Sequence, residues 1–145
     1  MRVRFAGSAD HPDYQEELKA NARKLRIQNR VEWLGQITEA EKLDLYARSL
    51  GVIYPPVDED YGYVTLEAML AAKPVVVCAD SGGPLEFVQH EVTGLVAEPD
   101  AASMARALDT IAEDPATASN WGRAGRELYQ KLNISWSNVI QKLLG

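Results

Sequence analysis

The stretch Glu59-Asp60-Tyr61-Gly62-Tyr63-Val64-Thr65-Leu66-Glu67-Ala68-Met69-Leu70-Ala71-Ala72-Lys73-Pro74-Val75-Val76-Val77-Cys78 runs from an acidic bend through a helix-like segment into an unbroken apolar strand. Val75-Val76-Val77-Cys78 has no polar position, as expected of a central parallel strand covered on both faces. Val64 to Ala72 reads as a helix, and Gly51-Val52-Ile53-Tyr54 reads as an earlier strand stopped by Pro55-Pro56. Strands alternating with helices mean a parallel sheet with helices on its faces, whose ligands sit beyond the carboxyl ends of the strands. The bend lies at such an end. Glu59 and Glu67, eight positions apart, offer carboxylates that accept hydrogen bonds from hydroxyls. The helix start between them presents unpaired N–H groups and a partial positive charge. A ligand with hydroxyls at its ends and phosphates in its middle suits this arrangement, and a nucleotide-activated sugar is such a ligand.

Working outward, Val3 to Gly7 reads as a short strand whose alternation with Arg2 and Arg4 leaves one face shallowly buried. Pro12 suits the first turn of a helix with an apolar stripe of Tyr14, Leu18, Ala22 and Leu25. Val31 to Leu34 is the next strand. Thr38 and Glu41 have capping-box spacing, and Leu43, Tyr46, Ala47 and Leu50 form the expected buried stripe of the helix that follows. Beyond the central strand, Gly94 to Ala97 reads as the last strand. Asp100 caps a helix carrying Met104, Leu108, Ile111 and Ala112, and Asp114-Pro115 starts another with Trp121, Ala124 and Leu128. Ser135 caps an expected terminal helix with Trp136, Val139, Ile140 and Leu143.

The 145 residues suit one domain that buries roughly two-thirds of its unfolded surface. An apolar content of 46% and a charged content of 25% are ordinary for a globular domain. No apolar run reaches the ~20 residues of a membrane-spanning helix, and the start has no signal-peptide pattern. Cys78 is the only cysteine, which excludes an internal disulfide and points to a reducing cytoplasm. Two histidines and one cysteine, far apart, give no metal-ligand spacing. The net charge of −6 argues against a nucleic-acid partner. Lys19, Arg23, Lys24, Arg26 and Arg30 form one local basic cluster, read as the solvated face of a helix. The tryptophans Trp33, Trp121 and Trp136 read as packing residues, and Cys78 as a small core hydrophobe.

The acidic bend, its helix, Lys73-Pro74, the apolar strand, Ser81-Gly82-Gly83-Pro84-Leu85-Glu86 and Gly94-Leu95-Val96 together resemble the donor-binding domain of GT-B glycosyltransferases. The group resembled is the large retaining one called group 1 or family 4. Its pattern is Glu, seven residues, Glu, a short helix, Pro, an apolar strand and a Gly-Gly-x-x-Glu loop. Weaker matches at Ala6-Gly7, Val31-Glu32-Trp33-Leu34-Gly35, Pro55-Pro56 and Ile134-Ser135-Trp136 extend it over nearly the whole chain. The implied fold is α/β, a Rossmann-like three-layer domain with a parallel sheet, the C-terminal half of a GT-B fold without its first strand–helix unit. Residues 1–145 are then one donor-binding domain of a larger two-domain enzyme, whose N-terminal acceptor domain lies outside the chain.

By the same resemblance, Glu59 is the catalytic-site residue that contacts hydroxyls of the donor sugar, orienting it rather than attacking it. Glu67 holds the ribose hydroxyls. The backbone around Gly62, Tyr63, Val64 and Thr65 faces the sugar and diphosphate, and Gly35 with Gln36 contacts the base. Asp60 stands where the family usually has Gly, and Tyr61 and Tyr63 replace the usual Phe and Leu, which leaves the donor's identity open within its class. The resemblance implies retaining transfer from a nucleoside diphosphate sugar to a hydroxyl acceptor in polysaccharide or glycolipid biosynthesis. It implies no metal and no cofactor, a cytoplasmic site, and peripheral membrane association of the full-length enzyme. The cations that neutralise the leaving diphosphate belong to the absent first unit, so the chain alone is expected to be inactive. Plainer readings stand beside these: Glu67 as an exposed helical Glu bonded to a lysine, Glu59 as solvated loop charge, and Gly82-Gly83 as an ordinary turn. Two other functions share the pattern, a standalone nucleotide- or sugar-binding module and a sugar-nucleotide 2-epimerase.

Overall fold

The computed structural model describes residues 1–9, 11–134, 141 and 143. The expected terminal helix of Ser135, Trp136, Val139 and Ile140 lies outside the described residues. The chain divides into two compact units, Met1–Leu45 and Tyr46–Gly145.

In the first unit, strand β1 (Val3–Ala6), helix α1 (Pro12–Lys24) and strand β2 (Val31–Gly35) form a strand–helix–strand crossover. The strands pair in parallel with Val3 opposite Val31 and Phe5 opposite Trp33, and the register slips after Phe5. The Phe5 and Trp33 rings stack with centroids 4.6 Å apart. Pro12 occupies the first turn of α1, where its missing N–H is no loss. The helix closes with Ile27 N–H on Ala22 O and Arg26 in the left-handed region at φ 58°. Arg23 and Lys24 lie in its last turn, where they complement the helix dipole. The expected apolar stripe is corrected in part. Ala22 is buried and Leu18 half-buried, but Tyr14 and Leu25 are 58% and 67% exposed. Strands of four and five residues span ~13–17 Å, whereas a helix of 13 residues spans ~20 Å.

Helix α2 (Glu39–Arg48) contains the boundary between the units. Its start is the expected capping box: Thr38 N–H donates to Glu41 Oε2 at 2.7 Å and Glu41 N–H to Thr38 Oγ1 at 3.3 Å. The expected buried stripe is a second correction, since Leu43, Ala47 and Leu50 are exposed and only Tyr46 is half-buried. Periodicity states which residues share a face. It does not state that an element lies against that face.

In the second unit, β3 (Val52–Ile53), β4 (Val75–Cys78) and β5 (Gly94–Ala97) form a parallel sheet with β4 in the centre. Consecutive β4 residues point to opposite faces, and both faces are covered. Val76 packs with Leu95, Ala107, Ile111 and Ala118, from β5 and the helices α4 (Ala101–Glu113) and α5 (Pro115–Leu132). Val75 and Val77 pack instead with Ala68 of helix α3 (Tyr63–Leu70) and with Tyr46, Val52, Tyr54 and Val88. The wholly apolar strand is thus the core of this unit, as its composition requires. Cys78 belongs to it, and burial pushes its thiol pKa up. Asp100 Oδ1 accepts from Ala102 and Ser103 N–H, and Asp114 Oδ1 from Thr117 N–H, so both expected caps are present.

Small residues make one contact that the apolar stripe of α5 does not announce. Trp121, Ala124 and Leu128 are half-buried, while Ala118, Gly122 and Gly125 face inward and are buried. A Cβ on Gly122 would lie 2.1 Å from Ala72 O, whereas one on Gly125 would meet nothing nearer than Met69 Cγ at 3.4 Å. Gly122→Ala is therefore expected to cost about 1–3 kcal/mol by overpacking. Gly125→Ala should be neutral or gain up to about 1 kcal/mol of helix propensity. Urea unfolding checks both, and equal effects at the two positions would refute the close approach.

The capping N–H groups of Ser103 and Thr117 hold the carboxyls of Asp100 and Asp114 below the usual Asp range. A depressed folded-state pKa contributes stability above the unfolded value, about 4, and that contribution is lost as pH falls through the folded value. The Tm advantage of wild type over the Asp100→Asn, Asp114→Asn double variant should accordingly shrink below about pH 4.

Candidate functional site

The acidic bend extends the pairing of β3 with β4 beyond the regular strands. Asp58 N–H donates to Asp80 O at 2.9 Å, Glu59 N–H to Ser81 O at 3.2 Å and Gly83 N–H to Glu59 O at 2.6 Å. Ser81 is buried, and its Oγ accepts from Cys78 N–H at 3.0 Å, which fixes the turn from its own side. A Cβ on Gly82 would stand 2.6 Å from Glu59 O, and one on Gly83 would stand 2.4 Å from Asp60 O. The two glycines are therefore more than an ordinary turn: they let the backbone carrying Glu59 lie directly against the turn after β4.

Gly62 ends the bend at φ 75° and precedes α3 without offering a side-chain cap. Pro84 lies where its Cβ would be, with Cγ at 2.6 Å from that position. Tyr61 packs edge-on against Phe87, with ring centroids 5.8 Å apart, and Tyr63 is exposed. Thr65 N–H donates to Gly62 O at 2.9 Å, so the Tyr63 and Val64 amides stand at the head of the helix. The Thr65 side chain is wholly enclosed, and its hydroxyl has no hydrogen-bond partner among the described residues. An enclosed hydroxyl in that state costs about 1–3 kcal/mol.

The two carboxylates are half-buried and each meets a tyrosine. Tyr54 OH donates to Glu59 Oε2 at 3.3 Å, and Tyr46 OH donates to Glu67 Oε2 at 2.9 Å. Both rings pack on the cluster containing Val75, Val77 and Ala68. Burial, and then the Glu59 charge, push the Tyr54 pKa up, which keeps its hydroxyl a neutral donor. The tyrosines are what sequence reasoning missed. Tyr46 falls in the apolar stripe of α2, and no local signal links it to a carboxylate 21 residues later. Tyr54 directly follows β3, five residues before Glu59, a spacing that could have suggested the pair.

Gly35 and Gln36 belong to the first unit. Gly35 closes β2 at φ 64° and accepts from Gly7 N–H at 2.8 Å, while Gln36 is exposed. Two open hollows lie elsewhere. One of about 260 Å³ is bordered by His90, Leu95, Ser103 and Arg106, and one of about 330 Å³ in the first unit by Phe5, Gly7, Ser8 and Trp33. Neither is lined by Glu59 or Glu67. The bend combines two half-buried carboxylates with a helix start that has no side-chain cap. Among the described residues, no group of three or more His, Cys, Asp or Glu side chains could hold a metal ion.

Comparison with known proteins adds to this geometry. Residues 1–128 match the family model described as glycosyl transferases group 1. Human alpha-1,3/1,6-mannosyltransferase ALG2 is 32% identical over 81% of this chain and 28% of its own length. Alpha-maltose-1-phosphate synthase of Mycobacterium tuberculosis is 32% identical over 98% of this chain and 38% of its own. Among solved structures, Anabaena HepE in complex with UDP superposes with a TM-score of 0.87 at 26% identity, over 99% of this chain and 39% of that one. Sucrose-phosphate synthase from Thermosynechococcus elongatus gives 0.82 at 31% identity, over 98% of this chain and 36% of that one. The chain thus spans about a third of the length of the proteins it matches.

The clamp around Glu59 is open to direct test. Gly83→Ala is expected to cost about 1–3 kcal/mol and to speed hydrogen exchange at the Glu59 amide while leaving Val76 protected. Unchanged exchange at Glu59 in a folded Gly83→Ala protein would refute the clamp.

Proposed function

The chain belongs to the group 1 glycosyl transferases, and on that premise we propose that it is the donor-binding part of a retaining enzyme. That enzyme transfers a sugar from a nucleoside diphosphate sugar to a hydroxyl acceptor. The observation that carries the reading is the pair Glu59 and Glu67, each bonded to a core-anchored tyrosine, flanking the uncapped start of α3. Glu59 accepts from hydroxyls of the sugar, and Glu67 from those of the ribose. The Tyr63 and Val64 amides, with the helix dipole behind them, meet the diphosphate, and Gly62 allows the close approach. A nucleoside diphosphate as carrier is supported by the solved relative bound to UDP.

Transfer runs without a bound metal or cofactor, with backbone amides and cations meeting the diphosphate charge. Those cations, and the wall of the crevice that binds the acceptor, belong to parts of the enzyme beyond these residues. The chain alone therefore binds a donor without turning it over. The enzyme works in the cytoplasm, with peripheral contact to the membrane. No helix among the described residues is long and apolar enough to cross one.

Titration calorimetry with UDP, GDP and ADP tests the reading. One of the three should bind in the millimolar range, about −4 kcal/mol. Glu67→Ala should weaken that nucleotide by about 1.5–3 kcal/mol, the worth of a hydrogen bond to a charged group. Glu59→Ala should weaken only the sugar-bearing form. Equal, negligible effects of both substitutions would refute the assigned roles.

A further inference from the structure

The hydroxyl that meets Glu67 comes from an element remote in sequence, and its surroundings make it a fixed reference point. Tyr46 lies in the last turn of α2, and its ring packs against the cluster of Ala68, Val75 and Val77. Lys73 Nζ donates to Ala47 O at 3.0 Å and to Ser49 O at 2.9 Å, tying the end of that helix to the turn that follows α3. The bond from Tyr46 OH to Glu67 Oε2, at 2.9 Å, therefore joins two braced elements. A glutamate has three rotatable bonds, and one hydrogen bond to an oxygen fixes much of the orientation of its carboxylate plane.

Resting on the donor reading above, we propose that Tyr46 is a positioning residue that sets how Glu67 presents its carboxylate to a ribose diol. Tyr46 does not touch the ligand. It acts by orienting the acceptor before the ligand arrives, so that the ligand need not order the side chain itself. Ordering one such side chain is worth roughly a factor of 2–10 in affinity. The effect is specific to ligand atoms that Glu67 meets. A ribonucleotide with both hydroxyls gains from it, and a nucleotide lacking the 2′-hydroxyl gains less. Tyr54 supplies a natural control, because its hydroxyl engages the other carboxylate, Glu59.

The phenol can be removed while the ring stays. Tyr46→Phe keeps the packing against Val75 and Val77 and deletes only the hydroxyl, so the variant should fold. The test is a ¹H–¹⁵N titration of the 145-residue chain with UDP, GDP and ADP, each beside its 2′-deoxy counterpart. Tyr46→Phe should lower affinity for the ribonucleotide about two- to tenfold and leave the deoxy form nearly unchanged. Tyr54→Phe should leave the ratio of the two affinities as in wild type. A purely structural role for Tyr46 would weaken both forms equally, and that result overturns the proposal, as does an unchanged ratio in a folded Tyr46→Phe protein. If wild type binds none of the three diphosphates, the donor reading itself fails. If it binds one without discriminating ribose from deoxyribose, only the positioning role fails.

Discussion

Two backbone hydrogen bonds, Glu59 N–H to Ser81 O and Gly83 N–H to Glu59 O, hold the acidic bend against the turn after the central strand. Everything assigned to the candidate site depends on them. They turn a loop of three consecutive acidic residues, Asp58 to Asp60, into an extension of the sheet. The bend can be held in this way only because Gly82 and Gly83 bring no side chain into the space occupied by the Glu59 and Asp60 backbone. The strain of a positive φ falls on glycine at Gly62 and Gly82, but on an acidic residue at Asp58, at φ 50°. Asp is among the few side chains that tolerate that region.

From this clamp the rest of the site follows in order. Gly62 turns the chain into α3 with two amides leading, and α3 carries Glu67 about one helical turn beyond Tyr63, directly after the buried Thr65 and Leu66. The helix is anchored beneath by Ala68 on the sheet and by Leu66 and Met69 against Phe87 and α5. Rigid elements thus present both carboxylates, and tyrosines rooted in the same core bond to them. Preorganisation of this kind is what a site for a polyhydroxylated anion requires, because each polar contact must exceed the water it replaces.

Much of this was legible in the sequence where one residue type has one physical use. An unbroken run such as Val75 to Cys78, set between Pro74 and a Ser-Gly-Gly turn, reads as a strand covered on both sides, and it is. Thr38 with Glu41, Asp100, and Asp114 before Pro115 announced helix starts because their side chains solve the same local problem of unpaired N–H groups. What was not legible depended on neighbours. The stripes of α1 and α2 are real patterns, yet Tyr14, Leu25, Leu43 and Leu50 stay exposed. Gly122 and the Tyr46 hydroxyl escaped notice for a related reason. Each matters through a partner tens of residues away, Ala72 or Glu67, which no local period encodes.

Mapping backbone chemical-shift changes on this chain as UDP is added is the most direct test of the claim that the bend and the start of α3 form the donor site. The largest changes are expected at the amides of Tyr63, Val64 and Glu67, with Glu59 responding further when UDP-glucose replaces UDP. Changes concentrated instead around His90 and Arg106, with the bend unmoved, would contradict it.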